Sequence, residues 1–151
     1  MKKTVKQALC SVLSALLLVF PLPAGAVQAW ENPFGDVADT DWYYQHVFWA
    51  SESGVMNGTS DTAFDPDAPM TREQFAAMLY RFAGTPSLAE GSSTVLDAYV
   101  DSSEVSQWAA DAVAWAVEEG VLTGKPGERL DPSGAASRAE AAVMLARCLA
   151  E

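Results

Sequence analysis

Shifting the chain by 66 residues lays Trp42–Ala83 over Trp108–Leu149 without a gap, and 15 of the 42 aligned positions are identical. The matches include Trp42/Trp108, Trp49/Trp115, Gly54/Gly120, Gly58/Gly124, Asp65-Pro66/Asp131-Pro132, Arg72/Arg138 and Arg81/Arg147. An internal repeat of this size marks one supersecondary unit written twice. A unit of about 50 residues buries too little apolar surface to hold itself folded. The two must therefore pack on each other or on a unit from another chain. An apolar edge left open would drive a dimer or higher oligomer.

Each unit reads as helix, loop, helix. The spacing predicts a first helix over Asp41–Ser53 and its copy over Gln107–Glu119, with Trp42 and Trp49 seven apart on one face, as are Trp108 and Trp115. That spacing marks the four tryptophans as core positions, with one indole edge free to line a groove. Gly54 and Gly120 sit where a C-terminal glycine cap belongs. The second helix begins at Thr71 and at Ser137, where Thr71-x-x-Gln74 and Ser137-x-x-Glu140 are capping boxes. Phe75, Met78, Leu79 and Phe82 then follow at helical spacing, copied as Ala141, Met144, Leu145 and Cys148. The fold class is all-α, two tandem helix-loop-helix modules with short extended loop segments. The boundaries are 30–84 and 97–151, with a linker at 85–96 that carries no apolar period.

Ahead of the repeat, Lys2, Lys3 and Lys6 precede an uncharged apolar run, Ala8–Phe20, broken by Pro21 and Pro23. Small residues at Ala24, Ala26 and Ala29 complete the layout of a secretory signal peptide over 1–29, with cleavage expected near Ala26 or Ala29. The run is shorter than the roughly 20 apolar residues a membrane span requires, so no stable membrane insertion is expected. The chain carries 9 Lys+Arg against 20 Asp+Glu, a net charge of -11. Removing the three signal-peptide lysines takes this to 6 − 20 = -14. Nucleic acid is excluded as a partner, because phosphate binding needs clustered basic residues. Only Cys148 would remain in an exported chain, which rules out an internal disulfide. It reads as a buried thiol, with an intermolecular disulfide as the alternative.

The ordered motifs resemble the S-layer homology module. They are Phe34-Gly35-Asp36-Val37, a Trp opening the first helix, Gly54-Val55-Met56-Asn57-Gly58, Phe64-Asp65-Pro66 and Thr71-Arg72-Glu73-Gln74. The second copy gives Tyr99-Val100-Asp101, Trp108, Gly120-Val121-Leu122-Thr123-Gly124, Leu130-Asp131-Pro132 and Ser137-Arg138-Ala139-Glu140. The resemblance implies a secreted protein of the bacterial cell wall and cell surface. It implies non-covalent anchoring by binding an anionic, pyruvylated secondary cell wall polysaccharide, usually through three modules about a pseudo-threefold axis. The alternative is an assembly module that completes a three-module ring with other chains of the family, itself included, and binds no glycan.

By motif position the resemblance gives Arg72 and Arg138 the anionic sugar, with Thr71, Ser137, Gly58, Gly124, Trp42 and Trp108 around them. A guanidinium suits a carboxylate because it offers a two-point fork. Arg72 is the expected stronger contributor. The second copy departs further from the pattern, with Ala141 for Phe75, Leu130 for Phe64 and no proline before its second helix, so it is expected to be the looser module. No cofactor, metal site or catalytic group is expected. Asp61, Asp65 and Asp67 lack the alternation of a calcium loop, and their copies are Gly127, Asp131 and Ser133. His46 becomes Ala112. No carboxylate pair is placed for glycoside hydrolysis.

Overall fold

The computed structural model describes residues 30–89 and 91–150, and the expected signal peptide at 1–29 lies outside them. Asn32–Ala150 forms one compact unit. Four α-helices make up the repeat: α1 (Tyr44–Glu52), α2 (Arg72–Phe82), α3 (Ala110–Glu118) and α4 (Arg138–Leu149). Three short 3-10 segments, Ser92–Ala98, Ser102–Glu104 and Gln107–Ala109, join α2 to α3. Extended structure among the described residues is limited to two isolated bridges, Thr71 with Ala135 and Lys125 with Arg129.

Both second helices start as the capping boxes require. Thr71 accepts from the Gln74 N–H while Gln74 bonds back to the Thr71 N–H, and Ser137 and Glu140 do the same. Gly54 and Gly120 take positive φ angles of 69° and 68° at the ends of α1 and α3, a conformation a side chain resists. The first helix of each unit is shorter than its spacing suggests. α1 begins three residues after Asp41, and in the copy Gln107–Ala109 is wound as 3-10 before α3 proper.

The core sits where the two units meet. Leu79 of α2 packs against Val113 and Trp115 of α3, closed by Val121, Leu122 and Leu130 beneath and Leu96 beside them. Leu96 corrects the linker. The segment expected to lack an apolar pattern winds into the Ser92–Ala98 turn, which packs on α3 and buries Leu96. A single leucine seated on a 3-10 turn leaves no period to read. The tryptophans are corrected too, for only Trp115 is buried, 7% exposed against 57% for Trp49 and 86% for Trp42, with Trp108 also exposed. Equal sequence spacing does not give equal burial, because α3 has α2 to pack on and α1 has no helical partner among the described residues. The expected looseness of the second unit divides between its helices: α3 buries five consecutive residues, Ala112–Ala116, whereas α4 buries only Met144 against five residues in α2.

Loop conformation is fixed by two aspartates in equivalent positions. Asp101 is buried, and its carboxylate accepts from the Leu130 N–H at 2.7 Å and the Asp131 N–H at 2.8 Å. Asp36 accepts in the same way from the N–H groups of Phe64 (2.9 Å) and Asp65 (2.7 Å). Burial alone would raise the Asp101 carboxyl, but these N–H bonds and Arg129 hold it below the ordinary carboxylate value. The N–H groups of Phe64 and Asp65 hold Asp36 low in the same way.

Candidate functional site

Two grooves, related by the repeat, lie along the second helices. The larger, about 540 Å³, is floored by Met56, Ala77 and Met78. Its polar lining is Asn57, Thr59, Asp65, Gln74 and Arg81, and Phe64 and Trp108 supply aromatic surface. Trp108 is the sole lining residue from the second unit. The smaller groove, about 210 Å³, is built from the matching positions Leu122, Thr123, Glu140, Met144 and Arg147. It also holds Arg72, which reaches in from the other unit and has no counterpart in the first groove.

Arg72 is spent there on internal acceptors. It is 3% exposed, and its guanidinium donates to the Leu130 carbonyl (Nε, 2.8 Å), the Thr123 carbonyl (Nη2, 3.1 Å) and Glu140 Oε1 (Nη1, 2.7 Å). The adjoining backbone is stitched across as well. The Arg72 and Glu73 N–H groups donate to the Gly134 and Pro132 carbonyls, and the Ala136 N–H to Met70. Glu73 in turn accepts from the Ser106 N–H and hydroxyl. Glu140 is held well down, to about 2, first by the Ser137 N–H and hydroxyl, then by Arg72 and Lys125. Lys125 Nζ lies 3.5 Å from the same carboxylate oxygen and also pairs with Asp131.

This places the expected site residues apart. Arg72, expected to meet a ligand, is a buried clamp between the units, because Glu140 and two carbonyls already fill its fork. Arg138 is exposed and makes no side-chain hydrogen bond or ion pair among the described residues. Thr71 and Ser137 use their hydroxyls as helix caps. Gly58 lines the larger groove, yet its smallness is a packing need. A Cβ there would meet the Phe34 ring at 2.5 Å and backbone oxygen on two sides. Gly124 is likewise pressed by the Tyr99 ring, 2.5 Å from where its Cβ would stand. Trp108 lies in the larger groove, whereas Trp42 lines neither groove and instead packs edge-on to Tyr43, centroids 5.4 Å apart. Cys148 is a half-buried free thiol packed against the core, and burial raises its pKa.

Arg81 was within reach of sequence reasoning and was not singled out. It is kept as Arg147 in the copy, nine residues after the motif arginine, which puts it on the groove side of the same helix. Arg147 donates to the Thr123 hydroxyl at 3.1 Å, whereas the Arg81 guanidinium has no partner among the described residues. The larger groove thus presents one guanidinium without an ion-pair partner among the described residues, the Asp65 carboxylate held by the Thr59 hydroxyl, two side-chain amides and an exposed indole. Such a set can hold an anionic, ring-shaped polar molecule: the fork takes a carboxylate, the amides take hydroxyls, and the indole covers an apolar face.

Comparison with known proteins returns the S-layer homology domain, matched twice, over residues 33–76 and 98–142. The chain is 28% identical over 118 residues to the exoglucanase XynX of Acetivibrio thermocellus, covering 78% of this chain and 11% of that protein. It is 30% identical over 122 residues to the surface-layer 125 kDa protein of Lysinibacillus sphaericus, covering 77% and 10%. It is 28% identical over 116 residues to the cellulosome-anchoring protein of Acetivibrio thermocellus, covering 77% and 26%. The chain therefore spans a small part of each relative's length.

Proposed function

Since the chain belongs to the S-layer homology domain family, two modules in tandem, we propose that it is a non-covalent anchor at the cell surface, holding an anionic wall glycan in the larger groove. Relatives that share this region are named as surface-layer and anchoring proteins. Others bear enzyme names and match over only about a tenth of their length, which fits a region that tethers rather than one that catalyses. The observation that carries the glycan is that the Arg81 guanidinium, without a partner among the described residues, lines the same groove as the exposed Trp108. A carboxylate-bearing sugar, such as a pyruvate ketal, satisfies both. The ligand moves from Arg72, whose fork is filled, to Arg81, and Gly58 and Trp108 remain in the site.

Net charge sets the form of the binding. A chain at -11 repels an anionic polymer at long range, so attachment rests on short-range contacts inside the groove. Moderate salt screens that repulsion and leaves binding equal or tighter, the reverse of a charge-patch binder.

The test is sedimentation of the purified chain with wall sacculi, before and after the secondary polymer is stripped. Parent protein should sediment only with unstripped walls, and Arg81→Ala and Trp108→Ala should each lose at least tenfold in affinity while staying folded. Arg81→Lys should recover part, since an ammonium cannot form the fork. Equal sedimentation with stripped walls, or full binding by both alanine variants, would refute the glycan groove.

A further inference from the structure

The internal joint between the modules has two unfilled halves elsewhere on the same chain. At the joint, α2 lies on α3. Leu79 is 1% exposed, Tyr80 meets Trp115 with ring centroids 5.5 Å apart, and Arg72 plugs the smaller groove. Moving 66 residues along gives α4, where the same face is bare. Leu145, the copy of Leu79, is 42% exposed, Val143 and Leu149 are exposed beside it, and Arg138 is unpaired among the described residues. The α4 N–H groups of Arg138 and Ala139 also lack the cross-module carbonyls that their copies find in Pro132 and Gly134. Moving 66 residues back gives α1 in place of α3. Trp49 is 57% exposed where Trp115 is 7% exposed, and the larger groove has no arginine entering it.

One bare face is the α2 half of the joint and the other is the α3 half. We infer that the chain assembles head to tail: α4 of one copy docks on α1 of the next, with Arg138 entering the larger groove as Arg72 enters the smaller. The occupant is a second copy because the folded chain already displays this fit once, between its own modules. The acceptors that would receive Arg138 are the copies of those that hold Arg72: the Phe64 and Asn57 carbonyls, and the side chain at position 74. Contacts of this kind join unlike surfaces, so the assembly continues or closes into a ring as its rotation dictates.

One substitution sets the strength. Position 74 is glutamine where the copy has Glu140, so an entering Arg138 meets a neutral amide instead of a carboxylate. The joint between chains is therefore weaker than the joint within one, and depends on concentration. Arg138 keeps its charge on entering and adds a second cation beside Arg81. This docking does not require the glycan, and because both draw on Asn57 and Gln74 they compete for the larger groove.

Sedimentation equilibrium of the purified chain, without wall material, tests the joint. The parent should associate reversibly in the micromolar range, with a blue shift in tryptophan emission as Trp49 is covered. Gln74→Glu, which restores the missing carboxylate, should tighten association at least tenfold. Trp49→Glu breaks one half and Leu145→Glu the other. Both residues are exposed, so each variant should be a folded monomer by circular dichroism. Mixed in equal amounts, the two should form a one-to-one dimer, because each retains the half its partner lacks. A parent that stays monomeric at 100 micromolar overturns the inference, including the case where 1–29 or another partner covers either face. So does a mixture that stays monomeric, or association that Leu145→Glu abolishes and Trp49→Glu leaves intact, which would mark a symmetric α4 contact.

Discussion

Arg72 and Arg138 occupy the same motif position, yet their removal should have very unequal effects on stability. Truncating Arg72 to alanine leaves the buried Leu130 carbonyl without a donor, which costs about 1–3 kcal/mol. Lost packing of the aliphatic stem adds about 1 kcal/mol. Glu140 is not stranded, since Ser137 and Lys125 still hold it, so the loss falls near the low end of the ~3–5 kcal/mol seen when one partner of a buried pair is removed. About 3 kcal/mol is a large share of the ~5–15 kcal/mol that holds a domain folded. It corresponds to a fall in Tm of about 10–15 °C for a unit of this size. Arg138→Ala touches no internal partner and should stay within about 0.5 kcal/mol of the parent. Urea denaturation of both variants, followed by tryptophan fluorescence at a protein concentration low enough to keep the chain monomeric, gives the comparison. Equal losses, or an Arg72→Ala variant as stable as the parent, would refute the clamp. Arg72→Lys should recover only part, because one ammonium cannot serve three acceptors set at fork geometry.

The Glu140 carboxyl is held at about 2 in the folded chain against an ordinary value of 4.5, so its stabilisation is complete above pH 4.5 and is lost as pH falls toward 2. The stability gap between parent and Glu140→Gln, measured by denaturation from pH 6 to 2.5, should therefore narrow on acidification; a gap that does not change with pH removes the ion pair from the account. Gly58→Ala should destabilise by about 2 kcal/mol or more, because the new methyl would lie 2.7 Å from the Ser60 carbonyl oxygen and closer still to that of Ala63. An unchanged Tm would show that the loop can widen. Thr71→Ala and Ser137→Ala should each cost about 1 kcal/mol in thermal melts by removing a helix cap, and a loss of wall binding without any loss of stability would instead give the hydroxyls to a ligand.

The chain states its local rules openly and its packing partners poorly. Capping boxes at Thr71 and Ser137, glycine stops at Gly54 and Gly120, and the repeat itself are all legible because each depends on residues within a few positions of one another. Burial is not, because it depends on what lies opposite. Trp49 and Trp115 hold the same position in the repeat and differ fivefold or more in how much solvent they see. The same reason hides the internal contacts of Arg72. Its surroundings in the sequence are those of an exposed first-turn arginine, and only the arrival of Glu140, 68 residues away, turns it into a clamp. Arg81 was missed for a different reason. It stands outside the motif that draws the eye, and only the groove wall shows what it faces.

The carboxylate on Arg72 works as a tethered competitor. Fixed 2.7 Å from the guanidinium, it is present at an effective concentration that a dissolved sugar acid cannot match. One of the two motif arginines is thereby withdrawn from exchange, so on the proposed reading the repeat does not double the valency of the chain. An acidic polymer would then meet one available groove per molecule, and firm attachment would be gathered across neighbouring molecules, each contributing one site to a shared strand.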